Sequence, residues 1–224
     1  YLGANNKLKM KEPFRASIIL AYLMMIPFFL LILFKSNLVL SFFTNDTQVI
    51  SAGVDYYKAI VWTMPFLTLS LVIGGSIRAI GDTKSPIFAL VNGIIVNVIF
   101  NFLLINGGFG FPALGVLGAG IATLISRITE MVILIIILIV NKYDFNTRVQ
   151  DLFKIDKKLF KLVAKNAINT GANEILWASS MAVLMKLYST RGATAMSAYS
   201  IAGSISDIFF VLFNGMSAAT VVMV

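Results

Sequence analysis

The sequence predicts an all-α polytopic membrane protein, and three observations carry that prediction. Apolar residues make up 58% of the 224-residue chain and charged residues only 12%, about half the charged share of a soluble domain. Mean hydropathy is +0.90. The charges gather between long apolar runs instead of being spread among them.

Six of those runs are long enough to cross hydrocarbon, which takes about 20 apolar residues at about 1.5 Å of helix rise each. They cover about 17–35, 57–80, 87–105, 117–140, 162–189 and 195–224. Backbone amides have no water partner inside a bilayer, so such runs are expected to be helical. The chain opens at Tyr1 and closes at Val224 inside an apolar run, and no signal peptide is legible. It reads as part of a longer membrane protein.

Composition also excludes function classes. The chain has neither Cys nor His, which removes thiol chemistry, Cys/His metal centres and histidine acid–base catalysis. No convergent nucleophile and base is visible, so the expectation is no enzyme and no cofactor. Basic residues sit in alternate loops. Lys7, Lys9, Lys11 and Arg15 precede the first span, Arg78 and Lys84 follow the second, and Lys142, Arg148, Lys154, Lys157, Lys158, Lys161 and Lys165 separate the fourth from the fifth. Thirteen of the 18 Lys and Arg therefore fall on one side, which the positive-inside rule assigns to the cytoplasm. That asymmetry accounts for the net charge of +8 and leaves no solvated basic face for nucleic acid. Within 142–165, Leu152, Phe153, Ile155, Leu159, Phe160, Leu162 and Val163 recur near helical spacing between lysines. The pattern predicts an interfacial amphipathic helix.

Polar residues inside the spans carry the functional signal, because an ionisable group in hydrocarbon persists only when paired, hydrated or in use. Glu174 lies nine residues past Lys165 with no basic residue three or four positions away, and is the leading candidate for an ion-binding carboxylate. Asp207 sits at similar depth beside Ser204 and Ser206. Asn97 and Asn101 are four apart and share a helix face, either joining helices or lining a site. Arg127 and Glu130 are three apart, the spacing of a self-neutralising pair. Pro65, Gly74-Gly75, Gly93, Gly115, Gly118 and Gly120 thin or break otherwise bulky helices.

Several pieces then follow in a telling order. Tyr1-Leu2-Gly3-Ala4-Asn5 precedes a basic stretch, and Arg78-Ala79-Ile80-Gly81-Asp82-Thr83-Lys84-Ser85-Pro86 forms a polar hinge. Asn97 and Asn101 come next, then Phe109-Gly110-Phe111-Pro112-Ala113-Leu114-Gly115-Val116 leading into Gly118-Ala119-Gly120-Ile121-Ala122-Thr123. Asn173-Glu174 and Ala198-Tyr199-Ser200-Ile201 complete the set. This order resembles the multidrug and toxic compound extrusion (MATE) family of secondary antiporters.

The resemblance implies part of a twelve-helix fold made of two six-helix bundles. Residues 1–141 would be helices three to six, 142–161 a cytoplasmic linker with the amphipathic helix, and 162–224 the first two helices of the second bundle. It further implies that Glu174 is the helix-seven carboxylate that couples to Na⁺ or H⁺, the one residue expected to touch a metal ion. Asn97 and Thr123 match polar residues of a first-bundle site. Asn101 stands where some branches have Asp, and the Asn here resembles the bacterial branch often associated with sodium coupling. Asp207 joins these ion-coupling candidates by depth, and Arg78, Gly81, Asp82 and Pro86 are the expected hinge. The family's helix-ten acidic partner and first-helix Asp lie outside this chain. The implied function is export of amphipathic, often cationic, organic compounds across a bacterial cytoplasmic membrane by a monomer whose basic loops are cytoplasmic. A related flippase of lipid-linked saccharides is the alternative, although it calls for a cationic cleft to hold phosphates. The centrally placed, locally unpaired charges here, Glu174 and Asp207, are acidic instead.

Overall fold

A computed structural model of the chain describes residues 10–108 and 110–223. The Tyr1–Asn5 motif, Lys7, Lys9, Phe109 and Val224 lie outside the described residues. Seven α-helices and no strand occur within them: α1 Lys11–Phe43, α2 Thr47–Ile60, α3 Thr63–Ala79, α4 Lys84–Asn106, α5 Gly115–Val140, α6 Lys157–Ser189 and α7 Ala193–Met223. The protein is all-α and polytopic. By length and apolarity α1, α4, α5 and residues 194–217 of α7 each suffice to cross a membrane.

Three expected spans come out differently. The run 57–80 is not one helix but the pair α2 and α3, bent by 49°. Pro65 explains the break, since its ring displaces the carbonyl four residues back and it has no N–H to offer Val61. The Val61 carbonyl accepts from Met64 N at 3.2 Å instead, and the Pro65 carbonyl accepts from Tyr22 Oη at 2.9 Å. The bent pair counted as one span brings the total to five. The run 162–189 does form one helix, α6, but Asn166, Asn169, Thr170, Asn173 and Glu174 leave it less apolar than a lipid-facing span. The first span extends further than expected, through a break at Lys35 (φ −132°, ψ 29°) to Phe43.

A separate amphipathic helix in 142–161 is not what the described residues show. Residues 142–156 form turns and one 3₁₀ turn, Val149–Asp151, and only 157–161 are α-helical, as the start of α6. Two contacts hold this linker in place of a regular helix. Phe145 is buried, edge-on to Phe14 at 5.0 Å and stacked on Tyr143 at 5.5 Å. Arg15 Nε donates to Thr147 Oγ1 at 2.7 Å, and its Nη1 donates to the Lys154 carbonyl at 2.9 Å. Asp156 then caps α6 by accepting from Lys158 N at 3.0 Å.

The apolar core lies at this basic end, where Phe14, Ile73, Ile77, Ala89, Leu134, Leu138 and Phe145 cluster. The antiparallel pair α4 and α5 makes the most extensive helix packing, and α5 also packs on α2 and α3. Small residues permit it. A Cβ on Gly118 would stand 2.4 Å from the Leu104 carbonyl oxygen, and one on Gly120 would stand 2.8 Å from the Ala59 Cβ. No side chain fits either place.

Candidate functional site

Asn97, Asn101 and Thr123 meet at the packed face of α4 and α5. Asn101 Nδ2 donates to Asn97 Oδ1 at 2.9 Å, and Asn97 Nδ2 donates to Thr123 Oγ1 at 3.4 Å. The Thr123 hydroxyl in turn donates to the Ala119 carbonyl at 2.9 Å. Asn101 Oδ1 is buried and has no hydrogen-bond partner among the described residues. Such an acceptor is costly to leave unused, so it marks a place where something polar belongs.

One turn further along α5 the same face opens into a cavity of about 120 Å³, lined by Gly93, Asn97, Thr123, Ser126, Arg127 and Glu130 among others. That is room for several waters between polar walls. Ser126 Oγ donates to the Gly93 carbonyl at 2.8 Å, holding the two helices in register. Arg127 Nη1 and Glu130 Oε2 close the self-neutralising pair at 2.7 Å. Glu130 is buried at 9% relative exposure, and a Cβ added at Gly93 would stand 3.4 Å from the Glu130 Cβ, in ordinary contact with it.

The hinge is equally specific. Gly81 turns the chain at φ 92°, a left-handed value that favours glycine. Asp82 accepts from Ser85 N at 3.0 Å, from Ser85 Oγ at 2.6 Å and from Tyr143 Oη. The Ser85 hydroxyl, then the Tyr143 hydroxyl and the Ser85 amide, hold the Asp82 carboxyl at about 2, below its ordinary 3.8. Asn141 Nδ2 donates to Tyr143 Oη at 2.9 Å, so the turn after α5 is tied to the turn before α4. Pro86 sits buried in the first turn of α4, where its missing N–H costs nothing. Arg78 is exposed in the last turn of α3.

The other two expected ion-coupling residues stand apart from this cluster. Glu174 on α6 and Asp207 on α7 are both exposed, and neither makes a hydrogen bond or ion pair among the described residues. The serine beside Asp207 is engaged elsewhere, Ser204 Oγ donating to the Ser200 carbonyl at 3.0 Å. No group of three or more Asp and Glu that could hold a metal occurs among the described residues. Sequence reasoning missed Ser126, Tyr143, Asn141 and the Arg15–Thr147 link. The first carried a faint signal, lying one position before Arg127; Asn141 bonds Tyr143 two positions away, and Tyr143 and Arg15 reach partners 61 to 139 residues away with no local pattern.

The MatE family profile matches residues 1–103. Among similar proteins, "Probable multidrug resistance protein YoeA" of Bacillus subtilis (strain 168) is 29% identical over 71% of this chain and 35% of its own length. "Multidrug resistance protein NorM" of Vibrio cholerae is 23% identical over 99% of this chain and 49% of its own. "Multidrug resistance protein MdtK" of Yersinia pestis (strain Pestoides F) is 26% identical over 87% of this chain and 43% of its own. The chain thus spans half or less of the length of the curated relatives it matches. Together with the turn before α4 and the polar pair of helices that follows it, these matches make the chain similar to the MatE family over residues 1–103 and to multidrug resistance proteins over most of its length.

Proposed function

We propose that the protein exports amphipathic, often cationic, organic compounds by alternating access, in exchange for Na⁺ or H⁺. The names of the similar proteins, all multidrug resistance proteins, support the export reading. A secondary transporter needs binding groups at membrane depth that bind differently in its two states. The observation that carries the ion half of the proposal is the buried, partnerless Asn101 Oδ1 beside Asn97 and Thr123. Amide and hydroxyl oxygens coordinate a hard cation, whereas a proton needs a titratable acceptor. The α4–α5 cluster therefore favours Na⁺. Glu174 is the complementary carboxylate, able to take either ion, on a helix whose polarity suits a water-filled cleft better than lipid. Basic loops facing the cytoplasm complete the proposed orientation.

The intact protein in proteoliposomes provides the test. With a fluorescent organic cation inside, an imposed Na⁺ or H⁺ gradient should drive its countertransport, and Glu174→Gln should abolish that at near-normal expression. Asn101→Asp should make Na⁺-driven flux pH-dependent, because it adds a titratable group. Undiminished gradient-driven transport by Glu174→Gln would remove Glu174 from the mechanism, and a gradient-independent flux would remove antiport altogether.

A further inference from the structure

A second polar cleft, of about 510 Å³, opens at the basic end of the bundle, within the roughly 300–1,000 Å³ range of small-ligand sites. Lys11, Arg15, Lys142, Tyr143, Asn146, Thr147, Arg148 and Asp151 line it. It is remote from the α4–α5 cavity in residue content, sharing no wall with it.

Its charge balance is one-sided. Four cations face one carboxylate, and Asp151 is already bonded to Lys154 Nζ at 2.8 Å. Among the described residues Lys11, Lys142 and Arg148 make no contact ion pair. A cluster of cations repels itself, so holding it together without an anion is unfavourable.

The chain nevertheless holds it together. Arg15 is fixed through Nε to Thr147 and through Nη1 to the Lys154 carbonyl, so its guanidinium orientation is set before any ligand arrives. Thr147 accepts from Arg15 and keeps its own hydroxyl proton to donate. Lys142 has φ 49°, the one positive value at a non-glycine residue among those described, an arrangement that persists only where the surroundings enforce it. Here they do: Asn141 N donates to the Ile137 carbonyl at 3.0 Å on one side. On the other, Tyr143 is anchored to Asp82.

Depth identifies the ligand chemistry. Arg15 directly precedes the apolar run of α1, and Lys142 follows Val140, the last residue of α5, by two positions. The cleft thus sits where hydrocarbon gives way to headgroups. The Arg148 guanidinium fork, the donors Arg15 has left after binding Thr147 and Lys154, and two ammonium groups suit the several acceptor oxygens of phosphate better than a single carboxylate.

We propose that this cleft is a binding site for a phosphate group, supplied by an anionic phospholipid headgroup or by a soluble phosphate. The thermal stability of the intact protein in an uncharged detergent reads it out. Short-chain phosphatidylglycerol, short-chain phosphatidylcholine and inorganic phosphate are titrated separately. At least one of phosphatidylglycerol and phosphate should raise the melting temperature saturably. Lys142→Gln/Arg148→Gln should raise the half-saturating concentration at least tenfold. Lys157→Gln/Lys158→Gln, which removes the same charge outside the cleft, should change it less than twofold. Arg148→Gln alone gives the same reading if the double variant melts early without ligand. Saturation by phosphatidylglycerol alone assigns the lipid, and saturation by inorganic phosphate assigns the soluble source. No saturable response, an equal response to zwitterionic phosphatidylcholine, or equal weakening in both double variants overturns the proposal.

Discussion

Single residues set the tolerances of this bundle. At Gly118 a Cβ would meet the Leu104 backbone oxygen at 2.4 Å, and backbone cannot step aside as a side chain can. Gly118→Ala should therefore destabilise the intact protein in detergent by about 1–3 kcal/mol. Gly108→Ala, where a Cβ meets nothing within 4 Å, should be close to neutral in the same melting assay. Asp82 gives a prediction with a pH signature. Its carboxyl is held at about 2 in the folded protein against 3.8 ordinarily, so its ionised form is favoured by folding. The stabilisation it brings is fully present above pH 3.8 and is lost as pH falls through about 2. Between pH 4 and pH 2 the melting temperature should drop. Tyr143→Phe should shrink that drop, because one of the donors that lowers the carboxyl is gone. Asp82→Asn should remove this group's share entirely, and an unchanged profile in both variants would refute the assignment.

Helices were legible where local chemistry decides them and illegible where distant contacts do. Apolar runs located α1, α4, α5 and α7 because a bilayer demands such runs. The i, i+4 spacing of Asn97 and Asn101 and the i, i+3 spacing of Arg127 and Glu130 gave their mutual contacts for the same reason. Pro65 was read as a breaker, but nothing in 57–80 says that the chain bends by 49° there instead of kinking mildly. The linker failed for a different cause. Its periodic Leu, Phe and Ile promised a helix, yet Phe145 and Arg15 recruit it into tertiary structure that no window on 142–165 contains. Thr123 was found only through resemblance, and its contact with Asn97 spans 26 residues. The α4–α5 pair makes its own prediction. Arg127→Gln leaves the Glu130 carboxylate, whose side chain is 12% exposed, without its cation. With the opening toward the cavity moderating the loss, destabilisation should be about 1–3 kcal/mol. Adding Glu130→Gln should restore most of it, since two neutral amides in place of two charges leave no stranded ion. A double variant no more stable than the single would show that the pair is not what the melting assay reads.

Across the whole molecule, the links between distant segments bear on orientation. Arg15 reaches Thr147 and Lys154, and Asp82 reaches Tyr143. The start of α1, the α3–α4 turn and the linker before α6 are thus gathered at one end of the bundle. These are three of the segments that hold the excess of Lys and Arg. The α4–α5 turn lies at the far end, beyond 23 residues of α4, or about 35 Å of helix. That exceeds the roughly 30 Å of hydrocarbon, so the two ends emerge on opposite faces. In the proposed orientation, which follows the positive-inside rule, the clustered end faces the cytoplasm. The chain contains no cysteine, which makes accessibility labelling free of background. Gln150 is exposed in the linker and Gly108 has open space for a side chain. A membrane-impermeant thiol reagent should label Gly108→Cys in intact cells and Gln150→Cys only once the cells are opened. The reverse pattern would invert the protein in the membrane, and labelling of both in intact cells would contradict the separation of the two ends.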